Sequence, residues 1–268
     1  MHSIHRLVTM SLALLVCAGA LAQSGVGISP PRVEVQTNPG VELTQTIIVD
    51  HPGTVGTMEV DVTVSDVLLG PDGSAIYLDP GLHPRSLGPW LSLTPLRFTL
   101  APQERAEARY TVQVPADAED GTYWGVVFFE SGTVRDDQAP AQGIGVRTRV
   151  RVGHVVYVHV GAVSREGQIS GIRFEPPTST NRPATVRIVF QNTGNGLLRL
   201  NGTIEVRTMD AVLVDELTVT NVASFPGATH EIAVAVDEAL VAGEYLVLAV
   251  LDYGEATVVA GEGLITVP

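Results

Sequence analysis

From residue 32 to the end of the chain, short runs alternate apolar and polar residues, and Gly, Pro or Asn clusters cut them about every 8–12 residues. A period of two buries one face of an extended strand and wets the other. Strands cut this often can only pair with near neighbours and stack two sheets deep. Examples are RVEVQ (32–36), TQTIIVD (44–50), MEVDVTVSDV (58–67), ARYTVQV (108–114), TVRIVFQN (185–192) and HEIAVAV (230–236). The turn signals between runs include Pro71-Asp72-Gly73, Ala101-Pro102, the 192–196 segment NTGNG and Phe225-Pro226-Gly227. No segment of useful length carries a helical period. The expectation is an all-β chain of two tandem immunoglobulin-like β-sandwich domains, with a structured loop around Trp90 in the Pro-rich 81–93 stretch.

The two halves echo each other. LAPQERAEARYTVQVPADAEDGTYWGVVFFE and SFPGATHEIAVAVDEALVAGEYLVLAVLDY share a proline turn, an alternating strand, an acidic loop and a Gly-x-Tyr that opens an apolar strand. Tyr123 and Tyr245 stand where sandwich folds place a tyrosine corner, its hydroxyl bonded back to the preceding loop; the other reading is two ordinary strand tyrosines. The expected division is a signal peptide at 1–22, a first domain at 23–163 and a second at 164–268, with the boundary near the polar stretch 161–167.

The leader reading rests on a weakly basic start (His2, His5, Arg6), an apolar run over 12–20 too short to span a membrane, and Ala20-Leu21-Ala22 before Gln23. Cys17, the one cysteine, lies inside it, so the processed chain must hold together without disulfides. The formal net charge of −13 becomes −14 when Arg6 is removed, and every Lys/Arg residue is Arg. A body this acidic repels nucleic acid. No second apolar run of membrane-spanning length follows. The expected location is periplasmic or extracellular, in the cell envelope.

One strand breaks the acidic pattern. Within GIGVRTRVRVGHVVYVHVG (143–161), Arg147, Arg149 and Arg151 occupy alternate positions, while the even positions from Ile144 to Val160 are apolar apart from Thr148 and His154. A single strand with one apolar and one basic face accounts for both sets. Fully extended it reaches roughly 55 Å, and Gly153 is expected to mark a bulge or bend. Three readings of the arginines compete: a nucleic-acid patch, which the net charge disfavours; a carboxylate-binding cleft; and a solvated face paired with acidic neighbours.

VGISPPRVEVQTNPG followed by GPWLSLTPLRFTLAPQERAEARYTVQVPADAEDGTYWGVVFF resembles the N-terminal domain of periplasmic pilus chaperones of the PapD type, and more closely the WxL-associated bacterial envelope proteins that share this domain. The second half, with VRIVFQNTGNGLLRLNGTIEVR and AGEYLVLAVLDYG, is similar to the second domain of those envelope proteins. In the chaperones, basic residues on the first and last strands of the first domain line the interdomain cleft and anchor a client's terminal carboxylate. The resemblance puts Arg32 in the first role and Arg151 in the second, with Arg149 if the register shifts by two. It makes Ile144 and Val146 donor-like residues that complete a client's sheet by strand addition. The chaperone pattern of an aromatic pair followed by Arg-Pro is replaced here by Gly153-His154-Val155-Val156. The WxL-associated group usually ends in a membrane anchor, and the expectation here is that there is none.

Catalytic motifs are absent. His154 and His159 are an odd number apart and so face opposite sides of a strand, a poor chelating pair. No Gly-x-Ser-x-Gly elbow, phosphate loop or calcium loop occurs, and Trp90 and Trp124 read as packing residues rather than a sugar platform. No cofactor or metal is expected, and no enzymatic activity. The leading expectation is chaperone-like or scaffolding binding of an envelope or surface protein subunit, pilin-like if the resemblance holds. The alternative is a structural or adhesive module that binds a cell-wall component.

Overall fold

The structure, a computed structural model, describes residues 25–70, 73–132, 149–177, 183–236, 240–254 and 258–268. The expected leader, Ile144, Val146 and Arg147 lie outside these residues. Ten strands build the first sandwich: β1 (Gly27–Ser29), β2 (Arg32–Thr37), β3 (Glu42–Asp50), β4 (Met58–Leu69), β5 (Ala75–Leu78), β6 (Leu91–Thr94), β7 (Arg97–Leu100), β8 (Arg105–Gln113), β9 (Gly121–Ser131) and β10 (Val150–Val160). Seven build the second: β11 (Gly167–Glu175), β12 (Thr185–Asn192), β13 (Leu198–Thr208), β14 (Leu213–Ser224), β15 (Thr229–Ala235), β16 (Gly243–Asp252) and β17 (Val259–Val267).

In the first sandwich, the order β1-β3-β8-β6 faces the order β2-β10-β9-β4-β5, with β7 also on β4. The first strand changes sheets at Pro30 and Pro31, which have no N–H to give a ladder. Before them β1 pairs β3; after them β2 runs parallel to β10. The second sandwich packs β11-β12-β15 against β14-β13-β16-β17. This is the all-β, two-sandwich immunoglobulin-like architecture that the alternation implied. The Pro-rich loop is organised by a short 3-10 turn at Gly88–Trp90, with Trp90 packed 4.2 Å from the ring of Tyr123.

Parity decides what each strand buries. On β10 the even positions Val156, Val158 and Val160 enter the core beside Ile47, Val60, Tyr110 and Phe129. The run YWGVVFFE departs from alternation because β9 is covered on both sides. Tyr123, Val127 and Phe129 point into the first core, while Trp124, Val126 and Phe128 join a separate cluster on the outer face.

Both tyrosine corners form. Tyr123 donates its hydroxyl to the Glu119 carbonyl at 3.1 Å, and Tyr245 donates to the Val241 carbonyl at 2.9 Å. Each ties the start of a core strand to the loop four residues back. Tyr245→Phe removes one such bond and no packing. It is expected to cost about 1 kcal/mol, a drop of about 4–8 °C in the melting of a domain this size, read by calorimetry. An unchanged transition would show that the corner contributes no stability.

A seam and a basic face: the candidate partner site

The outer face of β9 and β10 does not stay wet. Phe225 and Leu197 of the second sandwich close on Val67, Trp124, Val126, Phe128 and Tyr157 of the first. The rings of Phe225 and Trp124 stack 4.4 Å apart and 4° from parallel, and Trp124 Nε1 donates to the Val67 carbonyl at 2.7 Å. The 192–196 turn comes up against the start of β9, where the Thr122 N–H donates to the Asn195 carbonyl at 2.8 Å. A side chain at Gly121 would put a Cβ 2.7 Å from that same carbonyl, so glycine permits this approach.

The seam covers the outer face of the C-terminal half of β10, beyond the arginines. From Val155 onward the odd face is covered, with Tyr157 and His159 buried against the second domain and its flanking strands. His154 and His159 do point to opposite sides. His154 sits in the core between the Pro30 carbonyl (2.7 Å) and the Tyr110 hydroxyl (3.2 Å), whereas His159 meets Thr122 and Glu34 on the outer face.

Beyond the seam lies the basic face. Arg32, the first residue of β2, is the register partner of Val155 and is exposed; among the described residues it has no carboxylate within ion-pair distance. Its charge is felt by Tyr157, whose phenol is pushed up by burial against the opposing pull of Arg199 and Arg32. Arg149 is paired on the surface with Glu130 at 2.9 Å, an exposed pair worth about 0–1 kcal/mol. Arg151 behaves differently. Its guanidinium lies 3.6 Å from the centroid of the Phe128 ring and reaches Ser65 Oγ at 3.5 Å. Tyr77 of β5 meets Phe128 edge-on at 5.0 Å.

Gly153 makes this stack possible, and not through a bulge: the β9–β10 register runs unbroken from Val150 to Val160. Gly153 faces Phe128 across the ladder, and a Cβ there would lie 3.1 Å from the Phe128 ring and 2.9 Å from Val126. Glycine leaves the space in which the aromatic ring covers the neighbouring backbone. Arg151 leans over that ring toward β4, whereas Arg32 stands on β2, on the other side of β10. The two arginines share a face but do not converge on one point.

Among the described residues, the edge of β10 beside them carries no ladder hydrogen bonds. β2 pairs β10 only from Val155 to Val160, and the Val155 N–H donates to Pro31 on that side. The main-chain groups of Arg151 and Gly153 point the same way by the period of two, and among the described residues no strand pairs with them there. Phe225, Glu34, Arg199 and Thr122 were missed in the sequence reading. Phe225 was visible only as part of a turn, and no linear signal aims its ring at another domain.

Among the described residues, no helix is long and apolar enough to cross a membrane, and no group of three or more His, Cys, Asp or Glu is placed to hold a metal ion. The molecule is a two-sandwich immunoglobulin-like protein whose domains meet at an aromatic seam. No family model and no curated protein matches the chain. Among solved structures, PapD-like pilus chaperones are similar to it. The class 5 fimbriae chaperone CfaA is 12% identical, with 91% of this chain and 100% of that chain covered and a TM-score of 0.49. A chaperone–tip adhesin complex of CFA/I fimbriae biogenesis is 12% identical, with 91% and 100% covered and a TM-score of 0.48. The E. coli chaperone DraB is 15% identical, with 91% and 96% covered and a TM-score of 0.42. The assignment of architecture stands on the strand order itself.

Proposed function

We propose that this chain is an exported, non-catalytic binding protein that holds an extended segment of an envelope or surface protein subunit, as a chaperone or scaffold. The leader occupies 1–22 and the binding domain 23–163, followed by the second domain at 164–268. The partner-binding set is Arg32, Arg149 and Arg151, with Ile144 and Val146 upstream. One observation carries the reading: the open edge of β10 at Arg151 and Gly153 lies beside two arginines, Arg32 and Arg151, that have no carboxylate partner among the described residues. An unpaired edge supplies main-chain hydrogen bonds to an added strand, and alternate side chains supply selectivity. Natural sheets usually blunt such edges, and here arginine keeps copies of the chain apart while attracting acidic groups.

The test compares wild type with Arg32→Ala, Arg151→Ala and the double variant in capture of subunits from the native envelope. Each single change is expected to weaken capture at least about 10-fold, the loss of one charge-assisted contact of about 1.4 kcal/mol or more. Stability should stay within about 1 kcal/mol, since neither arginine is buried in a core. Undiminished capture by the double variant, or selective retention of wall glycan in place of a protein subunit, would overturn the reading.

A further inference from the structure

Across the seam from the Phe225 stack runs a chain of polar contacts that begins and ends in the second domain. The Leu197 N–H donates to Thr122 Oγ1 at 2.9 Å, Thr122 Oγ1 lies 2.8 Å from His159 Nδ1, and His159 Nε2 lies 2.9 Å from Glu34 Oε1. Glu34 Oε2 then accepts from Arg199 at 3.2 Å. Arg199 is a β13 residue, and its guanidinium also lies 5.2 Å from the ring of Tyr157. Thr122 and His159 are buried, while the side chains of Glu34 and Arg199 keep 35% and 23% exposure at the rim.

The donors and acceptors match when Glu34 carries its charge. With Glu34 ionised, His159 Nε2–H and Arg199 each donate to one of its oxygens. His159 Nδ1 is then free to accept the Thr122 hydroxyl proton, and the Thr122 oxygen accepts the Leu197 N–H. A neutral Glu34 leaves Arg199 without its counter-charge and replaces two charge-assisted bonds with weaker neutral ones, even if His159 changes tautomer to accept its proton. Among the described residues, this chain and the Arg199–Tyr157 contact beside it depend on a charge at the seam. The Phe225–Trp124 stack and the Thr122–Asn195 bond do not.

We propose that ionised Glu34 latches the second sandwich onto the first, and that neutralising it lets the second sandwich reorient about the Phe225 stack while both sandwiches stay folded. The charged and titratable groups facing Glu34 are His159 and Tyr157 from β10, Arg199 from β13 and Arg32 from its own strand. Burial alone would raise the Glu34 carboxyl, but hydrogen bonds and charge from His159 and Arg199 outweigh it and hold it below the ordinary range. The latched state therefore binds a proton more weakly than the released state. The latch is complete above about pH 4.5, the ordinary carboxyl value, begins to weaken below it, and is lost as pH falls on through the lowered value of the latched Glu34. Because Glu34 shares β2 with Arg32, release also changes what stands over the basic face. The latch does not depend on the identity of the partner.

The test is an interdomain distance measurement by paired nitroxide labels on Gln113→Cys and Thr218→Cys, both exposed sites, in a Cys17→Ser background. At pH 7 the parent protein is expected to give one narrow distribution. Glu34→Gln at pH 7 should broaden it at least about twofold, Arg199→Met should do the same, and the double variant should add nothing, as members of one coupled network do. Acidifying the parent below about pH 4.5 should move its distribution progressively toward that of Glu34→Gln, and at pH 4 it should still be narrower than the variant, which should lack this response. Near-ultraviolet circular dichroism should stay native throughout. A distribution unchanged by Glu34→Gln, or a change accompanied by loss of tertiary structure, would overturn the latch.

Discussion

Phe225→Ala is expected to split thermal unfolding from one transition into two and to cost about 3–5 kcal/mol of interdomain coupling and core packing. The ring is 5% exposed and contributes the flat face against which Trp124 stacks. Phe225 opens a tight turn whose geometry does not need the ring: Ala228 N–H donates to the Phe225 carbonyl at 3.0 Å, with Pro226 next and Gly227 at φ 72°. The substitution therefore removes packing without disturbing the chain path. The Trp124 indole, 1% exposed with the seam closed, becomes wet on one face, so its fluorescence should shift to the red. Calorimetry and emission spectra read both effects. A single transition displaced by less than about 1 kcal/mol would mean that the stack contributes little and that the domains are held by polar contacts alone.

The second large effect is on acid stability. His230 faces Phe190 across β12 and β15, is 4% exposed, and neither ring nitrogen has a hydrogen-bond partner among the described residues. Burial pushes its pKa down. The folded state therefore takes up the proton less readily than the unfolded chain. Stability is unaffected above about pH 6.5, the ordinary histidine value, and falls as pH drops below it, by at most about 1.4 kcal/mol per pH unit for one histidine. His230→Leu fills the same space without the polar atoms. It is expected to raise the stability of the second domain by about 1–3 kcal/mol at pH 7 and to remove its share of the acid slope. Urea unfolding between pH 5 and 8 measures both.

His154, in the first domain, is also depressed by burial, against a partial opposing pull from its bond to the Pro30 carbonyl. It differs in having a partner at each nitrogen, Pro30 and Tyr110. His154→Leu should therefore destabilise at pH 7, because it orphans a buried tyrosine hydroxyl and a carbonyl. If both substitutions moved stability in the same direction, hydrogen bonding would not be what separates the two sites.

Much of this protein is legible in local pattern. Period-two alternation sent His154 and His159 to opposite faces, and Gly-x-Tyr marked both tyrosine corners. The apolar run of β9 was read as one more strand of the sandwich, and that its outer face is covered too came only with the seam. The site was less legible. Arg149 pairs with an acidic neighbour, as the plainest reading of the stripe expected, but Arg151 stacks on Phe128, and Gly153 serves that stack instead of a bulge. Residue type and spacing give a side chain its face. They do not give its lean, which depends on the rings and gaps two strands away.

The sequence by itself determined the class of fold, because alternation, turn chemistry and the repeated Gly-x-Tyr act over a few residues and need no distant partner. Tertiary structure alone decided the seam. Phe225 and Trp124 are 101 positions apart in the chain, and Glu34 and Arg199 are 165 apart. Their meeting rests on how two finished sandwiches exclude water from one shared face. That same packing covers the outer face of β10 from Val155 onward, which nothing in the alternation of the run foretells.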